Sequence, residues 1–159
     1  PGPSLATWPV DTWDGYPARL AINRAILYRP CEYWVGLDWK TLCRHCDKAA
    51  PCTIFTDATC DETIKAKWAR YGEFTVKVVQ RRGVYSAVNA LHVAADLGFK
   101  AIDVYGADWT TEPDWDGADI PGTIRDANRW LGEAKQWDEA IDKLGLTVKR
   151  YGPNRQHPR

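Results

Sequence analysis

Methionine is absent from the chain, even at its first position, which is Pro1. That is expected of a chain that has lost N-terminal residues. Net charge is absent as well, with 21 Lys and Arg matched by 21 Asp and Glu. No global field therefore favours nucleic acid or an anionic membrane, and only a local basic patch remains open. No apolar run approaches the roughly 20 residues that a membrane-spanning helix needs, and no leader pattern is present. Internal repeats and interdomain linkers are missing too. What is present is an ordinary balance of 45% hydrophobic and 26% charged residues over 159 positions. This predicts one domain over 1–150, large enough to bury a core, with a polar tail over 151–159.

The richest stretch is Gln80 to Asp108. Phe74–Val79 before it has the β-branched composition of a strand. Arg81-Arg82-Gly83 breaks that pattern. Val84, Ala87, Val88, Leu91, Ala94, Ala95 and Leu97 then recur at helical spacing. Gly98 ends the helix where a left-handed residue is least costly, and Ala101–Tyr105 is the next strand. Strand, loop, helix and strand in this order predict two parallel strands joined by a right-handed crossover. Glycine at a helix start behind two arginines places backbone N–H groups and positive charge together, an arrangement suited to phosphate.

The rest of the chain continues the alternation. Short strands are expected at Ala18–Ile22, Tyr33–Leu37, Thr53–Thr56 and Leu146–Arg150. Helices are expected over Asp61–Tyr71, on Ile64, Trp68 and Tyr71, and over Thr123–Leu144. The face of the latter carries Ile124, Trp130, Leu131, Ala134, Trp137, Ile141 and Leu144, and Gly145 ends it. Polar residues recur where strands end: Asn23, Asp38, Asp57 and Asp108. In parallel α/β sheets ligands bind beyond the carboxyl ends of strands. Each such residue taken singly is more often a helix cap or turn residue. Gly106 closes the strand before Asp108. The long loop after Asp108 holds Trp109 and Trp115, suited to covering a site or stacking a sugar, although most of the nine tryptophans have ordinary packing roles.

All five cysteines lie in the first half. Cys43 and Cys46 form a C-x-x-C, and Cys52 and Cys60 follow within reach, so a structural zinc site is one reading. The other is free thiols in a reducing, cytoplasmic setting. His45 is the one local base for a catalytic thiol.

These motifs in their order resemble a family, the bacterial sialyltransferase-like glycosyltransferases and related proteins that include a pterin pyrophosphokinase group. Gly83-Val84-Tyr85, the run Ala94–Lys100 and the run Ile102–Asp108 are similar to that family's core motif. Gly2-Pro3-Ser4-Leu5 looks like its N-terminal loop, and Ala21–Ala25 like the strand with a nucleotide-contacting Asn. The resemblance implies an α/β fold, a Rossmann-like three-layer sandwich with a mostly parallel sheet, here without the usual first strand. It also implies nucleotide contacts from Gly2, Ser4, Asn23, Arg81, Arg82, Gly83 and Gly106. The chain departs from the family pattern at Pro1, where the loop has Asn, and at Arg81-Arg82, where it has Thr-Ser. The family's downstream catalytic His also has no clear counterpart, since only His157 follows His92.

The expected activity is transfer of a sugar from a nucleotide-sugar donor to an acceptor that is a glycan, a small molecule or a modified nucleobase. Asp108 or Asp38 would serve as base, or would hold Mg or Mn. The alternatives are a Mg-dependent nucleotide pyrophosphokinase using Asp38, Asp57 and Asp108, or a non-catalytic nucleotide-binding module clipped by zinc.

Overall fold

Four short strands lie side by side in the order in which the chain makes them. They are β1 (Leu20–Ile22), β2 (Tyr33–Val35), β3 (Thr53–Thr56) and β4 (Thr75–Val78), and every pairing is parallel. This computed structural model describes residues 5–6, 8, 14–57, 66, 74–108 and 127–151, with side chains in the last stretch from 130. Parallel neighbours need a crossover rather than a tight hairpin. Between β1 and β2 the crossover contains a 3-10 helix, Asn23–Leu27, and between β2 and β3 it contains helix α1, Trp39–His45. The helix expected over Asp61–Tyr71, between β3 and β4, lies outside the described residues apart from Ala66, which is helical.

The middle strands are apolar on both faces because both faces are covered. Trp34, Val35 and Ile54 are fully buried and Phe55 nearly so, with Trp34 beside Ile54 and Val35 beside Phe55 in register. β4 is different: Thr75, Lys77 and Val78 are exposed. It is the outer strand among those described, and its alternation of polar and apolar residues suits one covered face.

Two further strands, β5 (Ala101–Tyr105) and β6 (Thr147–Tyr151), pair in parallel over their full length. Helix α2 (Ser86–Asp96) leads into β5, and helix α3 (Ala127–Leu144) leads into β6. The chain divides into two compact units. One is Tyr16–Val93, holding the four-stranded sheet; the other is Pro1–Gly15 with Ala94–Arg159, holding β5 and β6. This is an α/β fold of parallel strands and intervening helices, consistent with the Rossmann-like class.

Several boundaries differ from the sequence expectation for identifiable reasons. The Tyr33–Leu37 strand stops at Val35, because Asp38 caps α1, a helix that the sequence reading did not anticipate. Val84 precedes helix α2 and is exposed, since α2 begins only at Ser86. Leu131 is exposed rather than on the covered face of α3, which is formed around Ala134, Trp137 and Ala140. Tyr151 belongs to β6 and not to the tail. Thr123–Asp126, assigned to α3 from periodicity, lie outside the described residues.

Candidate functional site

The carboxyl edge of the four-stranded sheet is where this fold class places ligands, and the chain turns there in four different ways. At the end of β1, Asn23 takes a left-handed backbone conformation, φ +50°. Asn tolerates that region better than most residues. Its carbonyl accepts from Trp34 Nε1 at 2.8 Å, while its side-chain Oδ1 is buried without a hydrogen-bond partner. A buried acceptor left in this state costs on the order of 1–3 kcal/mol unless something else donates to it.

At the end of β2, Gly36 is required by packing. A Cβ there would lie 2.4 Å from Leu42 Cδ2 of α1, so the helix closes directly onto the strand end. Asp38 then starts α1. Its Oδ1 accepts from the Lys40 N–H at 2.9 Å and its Oδ2 from Thr41 Oγ1 at 3.1 Å. Both oxygens of the carboxylate expected as a base are thus occupied in an N-cap, the ordinary role of Asp at a strand-to-helix junction.

At the end of β3, Thr56 is fully buried with its hydroxyl unpartnered, and Asp57 is buried beside it in sequence. Asp57 Oδ2 lies 3.7 Å from an Arg81 guanidinium nitrogen. Arg81 is thereby drawn across from the segment after β4.

That segment, Gln80–Tyr85, is the most fully constrained part of the edge. Arg81 Nε donates to the Gly83 carbonyl at 3.2 Å, and its terminal nitrogen donates to the Val84 carbonyl at 2.9 Å. From α2, the fully buried Asn89 reaches back to the same turn. Its Oδ1 accepts from the Arg82 N–H at 2.7 Å, and its Nδ2 donates to the carbonyls of Gly83 and Tyr85, each at 2.8 Å. The carbonyls of Gly83, Val84 and Tyr85 are therefore all held by side-chain donors from within the unit. Occupying these carbonyls with donors offsets the negative charge that would repel an anion in front of a helix start. Arg81 and Arg82 are both exposed.

In the other unit, Gly106 follows β5 with φ +76°, a conformation that glycine takes without strain. Asp108 is buried two residues later. Sequence reasoning missed an aromatic ladder at the carboxyl ends of β5 and β6. Tyr105 stacks on Trp8 at 4.3 Å and on Tyr151 at 4.4 Å, with ring planes within 6° of parallel. Tyr105 and Tyr151 are partners in register, so the strand pairing itself aligns their rings. The available signal was the matching aromatic at the end of two consecutive strands; Trp8 carried no such cue. Tyr151 also donates to Asp103 Oδ2 at 3.3 Å, and Lys149 lies over the Tyr151 ring at 4.6 Å.

Of the four cysteines of the zinc reading, Cys43, Cys46 and Cys52 lie among the described residues. Cys43 is half-buried on α1, and Cys46 is buried, its thiol directed at the Cys43 carbonyl (3.3 Å) and Asp47 Oδ1 (3.1 Å). Cys52 is buried just before β3, and burial pushes its thiol up to about 12. Among the described residues no three His, Cys, Asp or Glu side chains gather in a manner able to hold a metal ion. Cys60 lies outside them, as do Gly2, Ser4, Trp109 and Trp115. Burial, followed by the charges of Arg24, Arg44 and Lys48, lowers the pKa of His45 and favours its neutral form. Among the described residues no helix is long and apolar enough to cross a membrane.

No family model, curated protein or solved structure gives a significant match to this chain.

Proposed function

We propose that this chain is a glycosyltransferase-like enzyme that binds a nucleotide-sugar donor. The donor's phosphates would lie at the Arg82–Tyr85 turn. The observation that carries this reading is the turn itself: three consecutive carbonyls occupied by side-chain donors, two arginines, and a helix starting directly behind, all at the carboxyl edge of a parallel sheet. Arg82 would neutralise the leaving diphosphate. Asn23, with its buried unpartnered Oδ1 on the same edge, would accept from a donor group of the nucleotide. The sugar-transfer half of the proposal rests on the motif resemblance, and the acceptor is a glycan, a small molecule or a modified nucleobase.

The pyrophosphokinase alternative needs carboxylates gathered around Mg²⁺. Asp38 is engaged as a helix cap and Asp57 faces Arg81, so these two are poorly placed for that work. Asp108 is buried just beyond the carboxyl end of β5.

Thermal unfolding with CMP, UDP and GDP sugars and with ATP, each with and without Mg²⁺, separates these readings. A specific ligand at about 100 times its Kd adds roughly 2.7 kcal/mol of apparent stability. A sugar nucleotide should raise the melting temperature without Mg²⁺, and Arg82→Ala should abolish the rise. No response to any nucleotide at millimolar concentration would sink the proposal, and a response confined to ATP with Mg²⁺ would favour the alternative.

A further inference from the structure

We propose that Asn89 is the positioning residue of the phosphate-facing turn, and that Arg81 is its tie to β3 rather than a ligand to the phosphate. This rests on the reading of the turn as the donor-phosphate site. Two exposed arginines stand next to each other, and the contacts of the Arg81 guanidinium define its role.

Arg81 spends its guanidinium on the molecule. One nitrogen meets the Gly83 carbonyl, another the Val84 carbonyl, and a third faces the buried Asp57 carboxylate. A planar guanidinium engaged on three sides acts as a brace, a role that its fixed fork of donors suits and that lysine would not reproduce. The main-chain N–H of Arg82 donates to Asn89 Oδ1. The position of Arg82 is therefore set by Asn89.

Asn89 uses both ends of its amide on one turn. It is fully buried, so these hydrogen bonds form out of water, where losing a partner costs most. An acceptor for the Arg82 N–H and a donor for the Gly83 and Tyr85 carbonyls must be supplied together. Asparagine does this; aspartate could keep only the first, and leucine of similar size neither. Asn89 touches no ligand in this arrangement. It sets the backbone that the ligand meets and lowers the entropy lost on binding.

Limited trypsin digestion reads the turn without any ligand. The Arg81 and Arg82 side chains are exposed, so cleavage of the Arg82–Gly83 bond is limited by backbone opening. Asn89→Ser should raise that cleavage rate about tenfold or more, the worth of roughly one ordinary hydrogen bond, while the unliganded melting temperature stays within a few degrees of the parent. Asn89→Asp should fall between the two, a graded rescue that general loss of stability would not give. Binding of inorganic pyrophosphate and of the responding sugar nucleotide should weaken in the same order. Arg81→Gln should release the turn likewise. By hydrogen exchange, Arg82→Ala should leave the turn closed while losing the ligand.

If Asn89→Ser does not fold, hydrogen exchange on the parent decides. Protection of the Arg82 amide comparable to that of mid-α2 amides supports the splint, and unprotected exchange overturns it. Equal trypsin cleavage in parent and variant also overturns it, whatever binds. A released turn with unchanged ligand affinity would overturn the link to phosphate and leave the nucleotide reading standing elsewhere on the edge. A parent that binds neither pyrophosphate nor any nucleotide would overturn the ligand half of the proposal together with the functional reading.

Discussion

At the scale of single residues, side chains at the carboxyl edge divide into those that hold the fold and those left with unmet demands. Gly36 belongs to the first group. Leu42 occupies the space that any Cβ would need, and Leu42 is itself fully buried between helix and strand. Gly36→Ala should therefore cost about 2 kcal/mol through overpacking, measured by urea unfolding. A smaller side chain at the contact should recover part of that loss, so Gly36→Ala with Leu42→Ala should destabilise by less than the sum of the two single changes. Additive losses would mean that α1 does not close on β2 in this way. Asp38 belongs to the same group, and its role illustrates how a carboxylate can mislead. Polar residues at strand ends read in sequence as members of a site, yet a helix cap needs the same residue at the same place. Only the residues after Asp38 separate the two readings. Leu42 and Cys46, four residues apart and both buried, were the signal that a helix begins there.

At the scale of elements, the parts that obey local rules were legible and the parts set by distant contacts were not. The ends of α2 and α3 are the clearest case of the first kind. In each, the glycine N–H bonds a carbonyl three residues back and the next residue bonds one five residues back. The pairs are Gly98 to Ala95 with Phe99 to Ala94, and Gly145 to Asp142 with Leu146 to Ile141. This is the Schellman arrangement, and glycine at its left-handed position is what the sequence displays. The two sites differ in φ, +92° at Gly98 and +61° at Gly145, and a Cβ would meet nothing within 4 Å at either. The cost of a side chain is therefore conformational at both. Gly145 sits in the ordinary left-handed region, which Asn accepts, whereas Gly98 lies beyond it. Gly145→Asn should be nearly neutral, Gly145→Ala should cost about 1 kcal/mol, and Gly98→Ala should cost more than Gly145→Ala. Melting curves of the three variants check the order, and equal costs at the two glycines would contradict it. The Arg81–Tyr85 turn is of the second kind. Arg81-Arg82-Gly83 marked a break and a charge cluster, but the residue that shapes the turn sits on the far side of Ser86, inside α2. An Asn among Val88, Ala90 and Leu91 reads as a weak interruption of the helix until its hydrogen bonds are seen. Trp8 is a similar case, since nothing near it in sequence announces a ring partner at Tyr105.

At the scale of the molecule, net charge near zero hides a set of ionisable groups that divide the pH axis of stability, all in the Tyr16–Val93 unit. Glu32 is hydrogen-bonded by Arg19, which holds its carboxyl below the usual range against the opposing effect of partial burial. A carboxyl lowered in the fold contributes stability above its unfolded pKa, near 4.5, and loses it as pH falls through the folded value. His45 is lowered too, by burial first and by neighbouring cations second. The unfolded chain therefore binds the His45 proton more readily, so its contribution is present above about 6.5 and declines as pH falls below it. The thiols work in the opposite sense. Burial pushes Cys31 and Cys52 up to about 12 from 9.0, aided at Cys31 by Glu32 and by Cys52 itself. Each keeps its proton longer in the fold than out of it. Their contribution is complete below pH 9 and is lost as pH rises towards 12. Stability measured by urea unfolding should thus form a plateau between about pH 7 and 9, the interval between the unfolded pKa values of His45 and the cysteines. The acid side should decline in two stages, and His45→Gln should remove the stage that begins as pH falls below about 6.5. Cys31→Ala with Cys52→Ala should lower the plateau through lost packing and flatten the alkaline limb between about pH 9 and 11. If that limb persists unchanged in the double variant, the thiols ionise in the folded protein as readily as in the unfolded chain, and β2 and β3 do not seal their amino ends as the structure places them.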